Sequence, residues 1–296
     1  MRSIKARLHW LDLVIVVLLF LFVGYVWQQI DGKLNYKWDW ARVPNYLFRY
    51  DDTAEKWVAN VLILGLVNTI RISIYASLLA ILFGLILGVA RTSRNLAVRM
   101  LARTYLELLR NIPPLVVIFI FFFFLSEQLI SFFNIESWAY AIARSENAEV
   151  WTFLFGDMRQ FPALISGIIV LALFESAFVG EILRAGIESV ETGQREAARS
   201  LGMRWSDEMR FIVLPQALRK TLPPLANQFI TLIKDSAIIS LISVPDLTLR
   251  AVEMANSTRL LFETWIVAAG LYFILCFGLS LLFRSLETRI GRRTSK

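Results

Sequence analysis

Four ionisable residues stand inside long apolar stretches of this chain: Arg71, Glu175 and the adjacent pair Lys234 and Asp235. Charge in such surroundings is expensive, and it faces an interior or a water-filled cavity rather than lipid. The chemistry of these groups is binding. A carboxylate holds an ammonium group, and lysine or arginine holds a carboxylate. Glu175 with Lys234 or Arg71 would therefore suit a zwitterion in transit. A structural reading stands beside this one, with Lys234 and Asp235 as a pair and Arg71 reaching to an interface. Bond-making chemistry lacks its parts. The single histidine, His9, lies beside Trp10, and the single cysteine, Cys276, lies in an apolar run. They offer no metal cluster, no intrachain disulfide and no nucleophile with a base, so no catalytic or metal residue is assigned.

The elements that carry these residues are membrane spans. Of the 296 residues, 57% are hydrophobic and 19% charged, and the excess lies in uninterrupted runs, as in an integral membrane protein. An all-α protein with about six transmembrane helices is expected. The first follows a basic start (Arg2, Lys5, Arg7) and runs from Leu13 to Ile30 with no small-residue cleavage site after it, so it is read as a retained anchor. Residues 31–57 form a loop rich in Trp and Tyr. The other spans are expected near 58–90, from Asn111-Ile112-Pro113-Pro114 through Phe124, and near 161–187, 222–244 and 264–283. Ser73, Ser77, Ala80, Gly84 and Gly88 make a small-residue stripe on the second span, and Ala172, Ser176 and Gly180 make another on the fourth. Such stripes let helix backbones approach closely. Glu181 and Arg184 are spaced for an i,i+3 pair, and Ile135 to Val150 is amphipathic.

Charge sets the orientation. Residues 1–11, 91–110, 181–221 and 284–296 hold 20 Lys and Arg against 8 acids. Residues 31–57, 127–160 and 245–263 hold 9 against 13. By the positive-inside rule the first set, with both termini, is cytoplasmic. The formal net charge of +7 thus reflects topology rather than a nucleic-acid partner.

One cytoplasmic segment, Thr192 to Pro215, is a charged island between two spans. Gln194 to Leu201 reads as a short helix with Gly193 before it and Gly202 after it. Ala197, Ala198 and Leu201 share a face, and Glu196 is spaced to pair with Arg199. Ser206 reads as an N-cap ahead of Asp207 and Glu208, and Pro215 marks a bend back into the membrane. The residues alone leave two readings open, a docking face for a partner's groove and a simple connector.

The pattern Glu196-Ala197-Ala198, Gly202, Ile212 and Leu214-Pro215 resembles the signature of the membrane subunits of bacterial ABC importers. Its spacing would arise by chance on the order of once in 10⁸ starts. Arg110 to Pro113, Ala177 to Ile187, Leu214 to Arg219, Leu222 to Pro224, Ile233 to Ser236 and Asn256 to Thr258 are similar to the polar amino-acid permeases. The likeness covers roughly residues 58–290. An added first span and a long 127–160 loop resemble the larger general amino-acid permeases, whereas Glu175 departs from the small or uncharged residue expected there.

The resemblance implies a type I importer domain over 58–290, preceded by an anchor and loop over 1–57 and followed by a basic tail over 291–296. It implies a multi-pass protein of the bacterial inner membrane that moves polar amino acids. Two ATPase subunits, a second permease subunit (identical or paralogous) and an extracytoplasmic solute-binding protein would be its partners. Residues 192–215 would be the coupling loop, with Gly193, Glu196, Ala197, Ala198, Leu201, Gly202, Ile212, Leu214 and Pro215 engaging the ATPase. ATP and Mg would sit on that partner, since this chain carries no GxxxxGK[ST] loop. The alternatives are an importer subunit for another small solute and a stand-alone secondary transporter. The latter usually carries internal repeats, and none is evident here. A membrane enzyme is disfavoured by the missing catalytic groups.

Overall fold

The computed structural model of the protein describes residues 10–33, 36–53 and 55–294. The basic stretch with Arg2, Lys5, Arg7 and His9, and the last two residues of the tail, lie outside them. The chain divides into two compact units, residues 1–42 and 43–296. In the first, α1 spans Trp10–Lys33, and its side chains from Leu13 to Val26 are exposed on every side. Trp38 stacks on Trp40 after it.

The second unit opens with a short helix α2 (Val43–Leu47) and, against the all-helical expectation, an antiparallel hairpin of β1 (Phe48–Asp51) and β2 (Lys56–Ala59). Aromatic residues alternate with polar ones in β1, and β2 carries Trp57 and Val58, types that suit a pleated ribbon. Tyr50 and Trp57 face each other across it edge to face, a favourable cross-strand pair.

Five helices of this unit are long and apolar enough to cross a membrane: Val61–Arg91, Pro114–Phe132, Met158–Glu188, Trp205–Ile242 and Leu261–Leu286. The apolar part of α1, Trp10–Val26, is shorter. The two small-residue stripes pack on each other. Helix α3 (Val61–Arg91) lies along α9 (Phe161–Glu188), and a side chain at Gly84 or Gly88 would strike Val179, Gly180 or Leu183. Close approach of two backbones, not flexibility, is what these glycines supply. The pair forms the centre of the unit, where Ile72, Ala76, Ile118, Ile168, Leu171 and Leu232 are buried together.

Between α3 and the next span, the arginine-rich segment folds as an amphipathic helix α4 (Leu96–Asn111), capped by Asn95 and packed through Leu106 and Leu109. The next span is α5 (Pro114–Phe121), a π-helical stretch Phe122–Ser126 and α6 (Glu127–Phe132). The 127–160 segment then folds as α7 (Ile135–Ala143) and α8 (Ala148–Phe155), pinned by an aromatic cluster of Trp138, Trp151, Phe155 and Phe161.

The fifth expected span starts earlier, and its helical run continues through Pro215. After α10 (Thr192–Ser200), the chain runs helically from Trp205 through α11 (Trp205–Asp207), a π-helical stretch Glu208–Val213, α12 (Leu214–Asp235) and a 3₁₀ stretch Ser236–Ile242. Pro215 cannot donate to the ladder and its ring crowds the carbonyl four residues earlier. The wider π-type turns just before it absorb both effects. Two helices complete the unit, α13 (Leu247–Thr258) and α14 (Leu261–Thr294).

Candidate functional site

The island folds into a hairpin at the carboxyl end of α9. Helix α10 begins two residues before the expected Gln194, so Gly193 lies within its first turn. Gly202, at φ +75°, ends it. Its N–H donates to the Arg199 carbonyl (2.9 Å) and that of Met203 to the Ala198 carbonyl (3.1 Å), a Schellman closure that favours glycine. No atom lies within 4 Å of where a side chain on Gly202 would start, so the backbone angle rather than space selects the residue.

The expected alanine face is split. Ala198 is buried, whereas Glu196, Ala197 and Leu201 are exposed, Leu201 at 83%. Successive helical residues point 100° apart, and α10 packs its inner side on the π-helical stretch. Arg199 pairs with Glu208 (3.0 Å) rather than with Glu196. Glu208 is 2% exposed, and its carboxylate raises the Arg199 guanidinium above its ordinary value. The second helix starts earlier than expected, with Arg204 rather than Ser206 at its N-cap position and no side-chain cap, and Trp205 packs on the cluster of Ile187, Val190, Met209 and Val213. Of the remaining motif residues, Ile212 and Leu214 are half-buried and Pro215 is exposed on the rod that follows.

Three side chains close the end of α9, where carbonyls lack helical partners. Arg195 of α10 donates to the Ile187 carbonyl (2.6 Å), Lys220 of α12 to that of Ser189 (2.7 Å), and Ser189 Oγ to that of Gly186 (2.7 Å). The expected pair of Arg184 and Glu181 is present at 2.6 Å. It widens into a cluster with Glu188 and with Arg110 of α4, the latter 3.8 Å from Glu181.

Within the spans, Glu175 of α9 is 0% exposed. Its Oε2 accepts from Gln228 Nε2 of α12 at 2.7 Å, and its Oε1 has no donor. Asp235 of α12 is half-buried beside it and interacts with it. Lys234 points the other way and is exposed. Gln228 was not singled out from sequence, although it sits seven residues before Asp235 and hence on the same helical face. It borders a cleft of about 480 Å³ between α3, α9, α12 and α14, lined by Ile74, Ser77, Leu225, Phe229 and Phe283. Ser77 Oγ is buried without a partner.

Arg71 is placed elsewhere. Thirteen residues before Gly84, it lies on the order of 12 Å further toward the amino end of α9 than Glu175. It donates to Asn68 Oδ1 (2.9 Å) and to the carbonyls of Thr152 (3.3 Å) and Phe153 (2.8 Å). Arg71 thus ties α3 to α8. The structure brings Glu175 and Asp235 together and leaves Arg71 apart from them.

The whole arrangement has relatives. Residues 80–292 match the profile of the family described as "Binding-protein-dependent transport system inner membrane component". Over 224 residues the chain is 33% identical to the probable glutamine ABC transporter permease protein GlnM of Bacillus subtilis, which spans 74% of this chain and 90% of that one. It is 29% identical over 255 residues to the glutamate/aspartate import permease protein GltK of Escherichia coli O6:H1, covering 86% and 99%. A chain from a crystal structure of an amino acid ABC transporter with histidines superposes with a TM-score of 0.63 at 30% identity, over 86% of this chain and 100% of that one. The MetNI methionine ABC transporter, in inward-facing form, shares the fold at a TM-score of 0.59 and 16% identity, over 78% and 96%. With that match over most of its length, the chain belongs to the binding-protein-dependent transport system inner membrane component family, as a permease of the amino-acid ABC importer type.

Proposed function

We propose that this chain imports polar amino acids across a bacterial inner membrane and takes its driving force from a separate ATPase docked on the α10 hairpin. The observation that carries this is the hairpin itself. Glu196, Ala197 and Leu201 stand exposed on a helix whose inner side is fastened to two spans, the form expected of a helix offered to a groove. Gly193 lies in its first turn and Gly202 ends it, Ala198, Ile212 and Leu214 seat it on the membrane domain, and Pro215 begins the rod that follows. Two ATPase subunits, each with ATP and Mg, a second permease subunit and a solute-binding protein complete the assembly.

Glu175 and Asp235 supply the solute contact in this reading. Two carboxyls stand side by side in apolar surroundings, with one amide donor on Glu175 alone, and a cationic group is what such a site lacks. A substrate ammonium reaching them past Gln228 would provide it, and Lys234, turned the other way, stays outside this contact. Arg71 acts as a brace. The test is purification with the co-encoded ATPase and binding protein, followed by uptake of labelled amino acids into ATP-loaded proteoliposomes. ATP-dependent uptake of an amino acid is expected. Uptake without any ATPase, or of anions or metal chelates alone, would point to the other readings.

A further inference from the structure

We propose that Arg195 is a positioning residue that makes α9 follow the movements of α10. The inference rests on the docking role of the hairpin and adds to it a route into the membrane. Only Ser189 to Glu191 separate the two helices, and a link of three residues would act as a hinge if nothing spanned it. Arg195 spans it. Its guanidinium, half-buried under the hairpin, donates to the Ile187 carbonyl at 2.6 Å. That carbonyl lies in the last turn of a 28-residue helix, where partial negative charge accumulates and favours a cation. A charge-assisted bond there is stronger than a neutral one.

The other contacts across the junction confine the motion further. Lys220 holds the Ser189 carbonyl from α12, and Arg199 holds the buried Glu208 one turn along the same face of α10. The hairpin is thereby fixed to two spans at once, but among the side-chain hydrogen bonds of the described residues only that of Arg195 runs from α10 to α9. Glu175 lies three turns up that same helix. A tilt of α10 is delivered to α9 through this bond instead of being taken up by rotation at Ser189 to Glu191.

The experiment uses the assembled complex in proteoliposomes with Arg195→Ala and Arg195→Lys. Solute transported per ATP hydrolysed should fall on the order of ten-fold in Arg195→Ala, the population change that losing one charged hydrogen bond produces. Basal ATPase and assembly should persist, and Arg195→Lys should recover much of the ratio. Spin labels at Gln194→Cys and Ala163→Cys in a Cys276→Ser background give the direct readout. In Arg195→Ala the ATP-driven shift at residue 194 should remain while that at 163 collapses. Normal coupling in Arg195→Ala overturns the inference and leaves the docking role intact. Loss of assembly in both variants assigns Arg195 to docking and also overturns it. An unmutated chain that binds no ATPase defeats the docking role itself.

Discussion

The side-chain amide of Gln228 reaches across from α12 to donate to Glu175 of α9 at 2.7 Å. It is the only hydrogen-bond donor to that carboxyl among the described residues. Replacing Glu175 by Gln keeps the shape and the partner and removes the charge. Uptake of cationic and zwitterionic amino acids should fall by roughly ten-fold or more, the worth of one charged contact, with the thermal midpoint held or raised. Unchanged uptake and substrate preference in competition assays would remove Glu175 from the path.

Gly186 marks the tightest junction of α9 with α12. A methyl added there would overlap the Thr221 methyl and stand 3.2 Å from the Ala217 carbonyl. Gly186→Ala should destabilise by about 1–3 kcal/mol, the usual cost of overpacking. Thr221→Ser, which removes the obstructing methyl, should restore most of the loss in the double variant. Thermal unfolding in detergent measures both.

Leu201 and Gly202 separate docking from folding. Leu201→Asp should leave the isolated permease within about 0.5 kcal/mol of its stability, as exposed positions do. It should weaken ATPase binding by roughly thirty-fold, the loss of an interface hot spot. Gly202→Ala acts in the reverse order, costing about 1 kcal/mol of stability because alanine resists the positive φ, with Gly202→Asn milder. Co-purification ratios and melting curves distinguish the two.

Asp246, which caps α13 through the Leu249 N–H at 2.8 Å, gives the domain a pH dependence. Burial raises its pKa from 3.8 to about 6, against the opposing hydrogen bonds from Leu249, Thr248 and Tyr272. Between these values the folded state holds more protons than the unfolded one, so stability falls as pH rises and levels off above about 6. The full change is at most about 3 kcal/mol. Asp246→Asn should keep the cap and flatten the profile, as hydrogen exchange of α13 from pH 4 to 7 would register.

The long elements were legible because lipid allows few alternatives. Apolar length and the charge bias placed α3, α9 and α14 within a few residues, and the stripes marked faces of close approach without naming their partners. The far end of the island helix was legible too, since Gly202 is needed where a helix stops at positive φ. Side-chain partnerships were not. Arg199 has Glu196 one turn away in sequence, but the buried Glu208 is nearer in space, a tertiary choice that spacing does not encode. Pro215 suggested the point where the chain turns back into the membrane, whereas the helical run passes through it behind a π-type stretch. Arg71 looked like a solute ligand only until the carbonyls at the end of α8 came within reach.

The unbroken helical run from Trp205 to Ile242 carries a mechanical consequence. At 38 residues it is about 57 Å long, nearly twice the roughly 30 Å of a hydrocarbon core. Pro223 and Pro224 lie inside it and remove two ladder bonds, which makes them its softest joint. Eighteen residues lie on either side of that pair, so the two arms are equal at about 27 Å. One arm carries the hairpin end of the rod and the other carries Gln228 and Asp235. Bending at the joint is the cheapest response of such a rod to a push beside the hairpin.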